Sequence, residues 1–185
     1  MSINLSILIC TIPGRISELK KLMDVLSPQL TSEVEVIYLG DNKKRTVGQK
    51  RNDLLKLSQG RYVAFIDDDD KITEDYVSLL LKGIRSGADV VNFDVECSVN
   101  GGPFKKVFYD AKFKTDKNKP DHYERIPNHL MCVKREIALT AGFPEKSFGE
   151  DQEYAKRILP RIQRQAKIEK TLYYYIFSHK TSQTQ

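Results

Sequence analysis

Four consecutive aspartates, Asp67 to Asp70, follow the apolar run Tyr62 to Ile66. In an open α/β sheet, ligands bind beyond the carboxyl ends of the strands, which is where these side chains would stand. Adjacent carboxylates repel one another, and Mg²⁺ and Mn²⁺ prefer oxygen ligands of this kind. The cluster therefore predicts a divalent-metal site that would also bind a diphosphate. The alternative, an acidic loop capping the next helix, explains Asp70 well but all four residues poorly.

A second acidic pair, Glu150 and Asp151, follows Gly149 at the start of a predicted helix. The positive end of a helix favours a carboxylate, so helix capping alone could explain Asp151. The functional alternative is a general base that takes a proton from an acceptor hydroxyl, which requires a carboxylate beside the substrate pocket.

A basic segment, residues 41–52, contains Gly48, Lys50 and Arg51 and leads into a predicted helix. A glycine-containing loop of this type can hold phosphate through its amides and cations, although the segment lacks the Gly-Lys-Ser/Thr ending of a P-loop. His129 and His179 are competent ligands for Mn²⁺-like metals, but an isolated histidine is usually only a surface residue.

Short apolar runs alternate with helical patterns over the first ninety residues, which is typical of parallel strands joined by crossover helices. The predicted strands are Leu5–Cys10, Val34–Leu39, Tyr62–Ile66 and Val90–Phe93, and the helices contain Leu19–Leu26, Val47–Leu57 and Tyr76–Ile84. This order predicts that the first half of the chain is an α/β unit of the type that binds nucleotides.

The pattern changes after Phe93. A turn cluster at Asn100–Pro103 predicts a hairpin between residues 95–99 and 104–109, and the polar, lysine-rich residues 110–125 predict a mobile surface loop, a candidate lid. The remaining predicted elements are a strand at Leu130–Val133, a helix at Arg135–Ala141, a helix from about Asp151 that Pro160 ends or kinks, and a strand at Leu172–Phe177.

Composition narrows the class of protein. The 185 residues carry a net charge of +5, and no run approaches the roughly 18 apolar residues of a membrane span. The start of the chain lacks the pattern of a signal peptide, so we expect a cytoplasmic protein. Three cysteines far apart predict reduced core residues. The basic stretch Lys156 to Lys170 reads as a solvated helix face or as a surface for an anionic partner.

The order and spacing of several segments resemble the inverting family-two glycosyltransferases of GT-A fold, over nearly the whole chain. The matching segments are residues 7–11 with Gly14 and Arg15, Asp41–Asn42, Gly48–Asn52, Gly60–Asp70, Phe143–Pro144 with Gly149–Asp151, and Tyr175–His179. The resemblance implies a small soluble enzyme of a phage or bacterial type. Its expected α/β fold is Rossmann-like, with a mostly parallel central sheet, flanking helices and a small antiparallel hairpin region. It also implies one domain, with residues 1–94 binding a nucleotide-sugar and residues 95–185 binding the acceptor.

The resemblance also implies a role for each matching residue. Donor contacts would come from Thr11, Ile12 and Arg15 at the base and ribose, Asp41 at the base edge, Lys50 or Arg51 at the diphosphate, and Asp67 and Asp68 at the ribose or sugar. Asp69 would coordinate Mn²⁺ or Mg²⁺, with His179 near the metal or diphosphate, and Asp151 would be the catalytic base. His129 and Glu150 are candidates for contacts to the acceptor or the sugar. The donor would be a UDP-sugar.

The acceptor and two rival functions remain open at this point. The basic stretches leave room for an acceptor such as a modified DNA base as well as a saccharide. A Mg²⁺-dependent nucleotidyltransferase or phosphohydrolase also places aspartates after strands, but a nucleotidyltransferase would show a Gly-rich basic signature after its first strand. A non-enzymatic nucleic-acid-binding module has no need of four aspartates after a buried strand.

Overall fold

The structure is a computed structural model, and it describes residues 2–177. The strands are β1 Leu5–Thr11, β2 Val34–Gly40, β3 Tyr62–Phe65, β4 Lys71–Ile72, β5 Val90–Val99, β6 Lys105–Tyr109, β7 Lys117–Asn118, β8 His122–Arg125, β9 Cys132–Lys134 and β10 Gln165–Phe177. The helices are α1 Ile16–Leu26, α2 Val47–Leu57, α3 Tyr76–Ile84, α4 Arg135–Ala141 and α5 Glu150–Ile158. Short 3₁₀ turns occupy Pro13–Arg15, Ser27–Gln29 and Leu159–Arg161.

The first three strands form the parallel unit that the sequence predicts. Every residue of β1 is buried, and β1 lies between β2 and β3 with parallel pairing on both sides. Helix α1 buries Leu19, Leu22 and Leu26, which recur at helical spacing, against this sheet. Helix α2 starts at a capping box in which Thr46 and Gln49 satisfy each other's backbone amides.

The complete sheet is mixed. Strand β9 enters between β3 and β5 and pairs antiparallel with both, so β3 and β5 are parallel to each other without touching. Strand β10 returns parallel to β5 and pairs antiparallel with the short β4. The predicted α/β class is confirmed. Three neighbouring strands in a row, β2, β1 and β3, pair in parallel on one side of β9, and parallel pairing on the other side joins β10 to β5 and β6 to β8.

The predicted hairpin is confirmed, and β5 is one continuous strand. Val95 lies opposite Val107, and Cys97 lies opposite Lys105. The turn contains Asn100 and Gly101, both with positive φ, as an Asn-Gly hairpin turn requires. The predicted division between residues 94 and 95 therefore falls inside a strand.

The predicted mobile surface loop at residues 110–125 contains two strands, so the prediction is wrong for residues 117–118 and 122–125. Strand β8 extends the sheet beside β6, with Tyr123 opposite Val107, and β7 pairs with β8. Lys105 lies 4.3 Å from the centroid of the Tyr123 ring and Arg125 lies 4.8 Å from it, so two cations hold the aromatic side chain on the sheet. The lysine-rich composition concealed this four-residue strand.

The prediction of a helix face over Lys156 to Lys170 is also wrong. Helix α5 ends at Ile158, before Pro160 as predicted, and β10 already begins at Gln165. Ala166 and Ile168 are half-buried between exposed neighbours, which is the period of a strand. The charged residues are therefore divided between the end of α5, the turn that follows it and the exposed positions of β10.

The core is contiguous across both sides of the sheet. It includes a stacked pair, Phe143 and Tyr154, whose ring centroids are 4.1 Å apart. All three cysteines are buried and free of disulfide bonds, as predicted. Within residues 2–177, no helix has the length and apolar character needed to cross a membrane.

Candidate active site

A cleft of about 530 Å³ opens at the carboxyl ends of β3 and β10, beside the start of α5. Its lining carries three arginines and five carboxylates, so its own formal charge is negative. The charged lining residues are Arg15, Arg51, Arg125, Asp67, Asp69, Asp116, Glu150 and Asp151. The aspartates after β3 and the acidic pair at the start of α5 therefore meet in one space, although more than eighty residues separate them in sequence.

Arg15 closes one side of the aspartate cluster. Its Nη1 donates to Asp68 Oδ1 at 2.8 Å and lies 3.2 Å from Asp69 Oδ2. Burial raises the pKa of Asp68 above its ordinary value, and the hydrogen bond from Arg15 only partly opposes this. Asp68 is almost wholly buried, so its role in the donor site would be to hold Arg15 in place.

Arg51 joins the two acidic groups. Its Nη2 donates to Asp67 Oδ1 at 2.9 Å and its Nη1 donates to Glu150 Oε1 at 2.8 Å. The guanidinium is only 3% exposed and packs against the rings of Phe65 and Phe143, at 5.8 and 5.4 Å from their centroids. Burial alone would lower the pKa of Arg51, but the neighbouring carboxylates outweigh it and raise the pKa. Arg51 therefore stays charged and fixes α5 relative to β3.

Asp67 and Asp70 are both satisfied by groups of the protein. Burial would raise the pKa of Asp67, but Arg51 and His129 outweigh it and hold the pKa below its ordinary value. Asp70 accepts from the Tyr173 hydroxyl at 2.7 Å and from the amide of Ile176 at 2.8 Å, while Tyr173 also accepts from the amide of Asp67. Asp70 thus ties β10 to the turn after β3, and burial raises its pKa.

Asp69 fits the role of a single protein ligand to a metal. Its side chain is 24% exposed and lines the cleft, whereas that of Asp68 is fully buried. Burial raises the pKa of Asp69 to about 6, and the charges of Asp67 and Asp68 add to the effect. Within the described part of the chain, no three His, Cys, Asp or Glu side chains are grouped to hold an ion alone. Mg²⁺ in phosphate-binding sites is typically held by one or two carboxylates together with substrate phosphates, and Asp69 suits that arrangement.

The start of α2 does not offer the predicted phosphate cradle. The amide of Val47 donates to Ser147 Oγ at 3.2 Å, that of Gly48 to Lys146 O at 3.0 Å, and that of Gln49 to Thr46 Oγ1 at 3.1 Å. A Cβ on Gly48 would lie 1.8 Å from the Pro144 carbonyl oxygen. The glycine therefore permits close packing of α2 on the 144–147 loop, and the prediction that these amides hold phosphate is wrong.

Lys50 is directed away from the large cleft. Its ammonium donates to Thr11 O at 3.2 Å and lies 3.5 Å from Asp41 Oδ1, and only 1% of the residue is exposed. Lys50 thus joins the ends of β1 and β2, where the resemblance places the pocket for the base.

Gly149 sets the position of the second acidic pair. It adopts φ 73°, in the left-handed region that favours glycine, immediately before the first turn of α5. This turn directs Glu150 to Arg51 and leaves Asp151 partly exposed in the cleft. Phe148, just before the glycine, is 91% exposed at the edge of the same cleft.

The predicted site residues therefore fall into three sets. Those that line the cleft are Arg15, Arg51, Asp67, Asp69, His129, Glu150 and Asp151. Those that lie beside it at the ends of β1, β2 and β3 are Thr11, Ile12, Asp41, Lys50 and Asp68. His179 lies outside the described residues.

His129 joins the site through Asp67. Its Nε2 lies 3.4 Å from Asp67 Oδ2, and the imidazole is buried against Phe65, with ring centroids 6.4 Å apart. His129 therefore both contacts Asp67, which is predicted to bind the donor, and lines the cleft.

Sequence reasoning missed residues whose roles depend on distant partners. Asn52 donates to Phe143 O and accepts from Phe143 N, both at 2.8 Å, which ties α2 to the loop after α4. Tyr173 bonds two of the four aspartates. Tyr109, Tyr123 and Tyr175 line the cleft. The alternation of side chains along β10 could have indicated that Tyr173 and Tyr175 face inward. The residues next to Asn52 in the sequence gave no sign of its contact with Phe143.

Comparisons with known proteins agree with this architecture. The family model described as glycosyl transferase family 2 matches residues 17–140. A structure of S. aureus TarS in complex with UDP shares 18% identity, with a TM-score of 0.74, and covers 94% of this chain and 60% of that one. One of TarS 1-349 in complex with UDP-GlcNAc shares 16% identity, with a TM-score of 0.70, over 94% of this chain and 58% of that one.

The chain spans 37% of a third TarS structure, at 18% identity and a TM-score of 0.70. It therefore corresponds to less than two thirds of each of these neighbours, and at these identities the likeness shows the fold alone. A search among curated proteins finds no match. Since the family model covers most of the sequence and the GT-A fold agrees with it, the chain belongs to glycosyl transferase family 2, as predicted.

Proposed function

We propose that the protein transfers a sugar from a UDP-sugar to an acceptor hydroxyl with inversion, in a reaction that depends on Mn²⁺ or Mg²⁺. The observation that carries the proposal is the shared cleft, which Asp67 and Asp69 line from one side and Asp151 from the other. A donor held at the aspartates would present its anomeric carbon toward the carboxylate of α5. The complexes of TarS with UDP and UDP-GlcNAc favour UDP as the nucleotide.

The donor would lie across the carboxyl ends of β1 and β3. Thr11, Ile12 and Arg15 would line the base and ribose, and Asp41, held by Lys50, would accept from the base edge. Asp67, oriented by Arg51 and His129, would bind ribose or sugar hydroxyls. Asp69 would hold the metal, which when bound would neutralise charge on the leaving nucleoside diphosphate.

Asp151 would act as the base. Its carboxylate takes the proton of the acceptor hydroxyl while the acceptor oxygen forms a bond to the anomeric carbon. The bond from that carbon to the phosphate oxygen breaks on the opposite face, and its electron pair leaves with UDP. Attack and departure on opposite faces invert the configuration.

The cytoplasmic location stays a prediction from sequence.

Thermal unfolding with nucleoside diphosphates and UDP-sugars, with and without Mn²⁺ or Mg²⁺, tests the donor half of this proposal. A ligand that binds only the folded state raises the unfolding temperature. We expect a metal-dependent rise with UDP and UDP-sugars that Asp69→Asn abolishes. Asp24→Asn, on the exposed face of α1, is the matched control and should behave as the unsubstituted protein. An equal, metal-dependent rise in Asp69→Asn would exclude Asp69 as the ligand.

A phosphohydrolase, the rival that also uses carboxylates after a strand, is tested in the same preparation. It would release inorganic phosphate from a nucleotide without a sugar acceptor. Release of phosphate with no transfer of sugar to any acceptor would overturn the proposed reaction.

A further inference from the structure

One face of the sheet forms the floor of the cleft, and its β10 end adjoins the turn that carries the aspartates. Cross-strand pairing places Tyr175 beside Cys97 and Phe177 beside Val99, while Val107 lies between Val95 and Tyr123. Because residues two apart on a strand share a face, these side chains form one surface across β10, β5, β6 and β8. This apolar floor consists of Val95, Cys97, Val99, Val107, Tyr123 and Tyr175, all of which line the cleft.

The floor continues into apolar side chains that solvent reaches. Val99 is 43% exposed at one end of the floor, and Phe148 is 91% exposed on the loop beside Asp151. Val95, Cys97 and Val107 are themselves buried, so a ligand would reach the floor at Val99, Tyr123 and Tyr175. Exposed apolar side chains beside polar groups typically mark a binding site. Since Val99 and Phe148 line the same cleft as Asp151, a molecule on the floor would lie next to the proposed base.

Charge on this side of the cleft argues against an anionic ligand. Arg125 is the cleft-lining cation that borders the floor, and its guanidinium donates to Lys117 O, Glu124 O and Asn118 Oδ1 at 2.8 to 2.9 Å while it stacks on Tyr123. Lys105 also contacts Tyr123, but it does not line the cleft and its ammonium donates to Lys119 O. Asp116 and Asp151 add negative charge at the walls. A phosphodiester on the floor would face carboxylates rather than open cations.

The basic stretch does not supply the missing cations. No residue from Lys156 to Lys170 lines the cleft. Lys170 pairs with Asp75, Lys167 lies 3.7 Å from Asp94, and Arg157 pairs with Glu153, so these charges are distributed over several surfaces and matched by carboxylates. A polyanion that followed these residues would be held outside the cleft.

We propose that the apolar floor binds the non-reacting part of an uncharged amphipathic acceptor, a glycoside with an alkyl or aryl group. The hydrocarbon would lie on Val99 and Tyr175, the sugar ring would stack on Phe148, and a sugar hydroxyl would reach Asp151. The chemistry of the transfer rests on the proposed function, whereas binding of the hydrocarbon to the floor does not.

Binding of hexyl, heptyl and octyl β-glucosides below their micelle concentrations, measured by calorimetry on the full chain with UDP and Mn²⁺ present, tests the floor directly. Transfer of a methylene from water to an apolar site favours binding by roughly fourfold in affinity, so affinity should rise by about that factor per added carbon. Val99→Ser and Phe148→Ala should each lower the affinity for octyl glucoside by about fivefold or more. Val25→Ser and Leu57→Ala remove exposed apolar side chains outside the cleft and should leave it unchanged.

Three results would overturn the proposal: affinity independent of chain length, unaltered affinity in both cleft variants, or displacement of octyl glucoside by duplex DNA at low salt. The last result would return the acceptor to the nucleic-acid class. Failure of the UDP thermal shift alongside normal chain-length dependence would reject the proposed reaction alone, so the two failures are distinguishable.

Discussion

Aspartates at the two ends of the strands have their pKa values shifted in opposite directions. At the amino end of β5, Asp89 accepts from Lys134 Nζ at 2.8 Å and from the amides of Gln163 and Arg164 at 2.9 Å each. Burial would raise its pKa, but these hydrogen bonds outweigh it and lower the pKa. At the carboxyl end of β3, burial raises the pKa values of Asp68, Asp69 and Asp70.

The contrast separates a carboxylate that stabilises the fold from carboxylates whose ionised form costs stability. Asp89 has a donor for each oxygen and adds to the free energy of unfolding. A carboxyl whose pKa rises on folding is less stable as an anion in the folded protein, so Asp68 to Asp70 lower the free energy of unfolding at neutral pH. Of these three aspartates only Asp69 lines the cleft, and a bound cation would offset the cost of its ionised form.

The largest effect should come from Asp151→Asn. Loss of a positioned base should slow transfer by about 10²- to 10⁴-fold, because the acceptor hydroxyl then keeps its proton. Affinity for UDP and the unfolding temperature should stay close to those of the unsubstituted protein. Initial rates of sugar transfer together with donor titration measure this, and near-normal rates would assign the base to another residue.

Arg51 connects the two sides of the site, and its removal should affect stability as well. Arg51→Met leaves Asp67 and Glu150 buried without their cation, so the free energy of unfolding should fall by about 3–5 kcal/mol. Arg51→Lys keeps the charge but cannot donate to both carboxylates from one planar group, and should lose less. Urea unfolding of both variants tests this order; equal stability of Arg51→Met and the unsubstituted protein would contradict it.

The sequence indicated the two acidic groups because each stands beside a recognisable element, the strand before Asp67 and the helix start at Asp151. It could not show that Arg51 joins them, since that contact depends on the packing of α2 against α5. The resemblance supplied roles for Lys50 and Arg51, but their burial and partners depend on tertiary structure. Strand β8 was missed because three of its four residues are His, Glu and Arg. The first half of β10 was missed because Lys and Glu at its exposed positions hide the period of two.

Asp89→Asn should lower stability and leave the transfer rate unchanged, which is the reverse of the result expected for Asp151→Asn. The amide cannot accept from Lys134 and two backbone amides as the carboxylate does, so the free energy of unfolding should fall by about 2 kcal/mol. The rate of transfer per folded molecule should not change, because Asp89 is at the opposite end of the strands from the cleft. Urea unfolding and initial rates on the same preparation measure both. A loss of activity without a loss of stability would remove the distinction between the two ends.

The smallest effect is the pH dependence of the stability lost in Asp89→Asn. Its sign follows from the lowered pKa of Asp89. A depressed pKa in the folded state stabilises the protein above the pKa of the unfolded chain, about 4 for an aspartate, and the contribution disappears as pH falls through the folded value. Lys134, whose pKa is raised by its hydrogen bond to Asp89, stays charged throughout this range. The difference in free energy of unfolding between the unsubstituted protein and Asp89→Asn should therefore be constant from pH 6 to 8. It should shrink below about pH 4, as urea unfolding at each pH would measure. A difference that persisted unchanged at low pH would mean that packing of the side chain, rather than its charge, holds β5 to the start of β10.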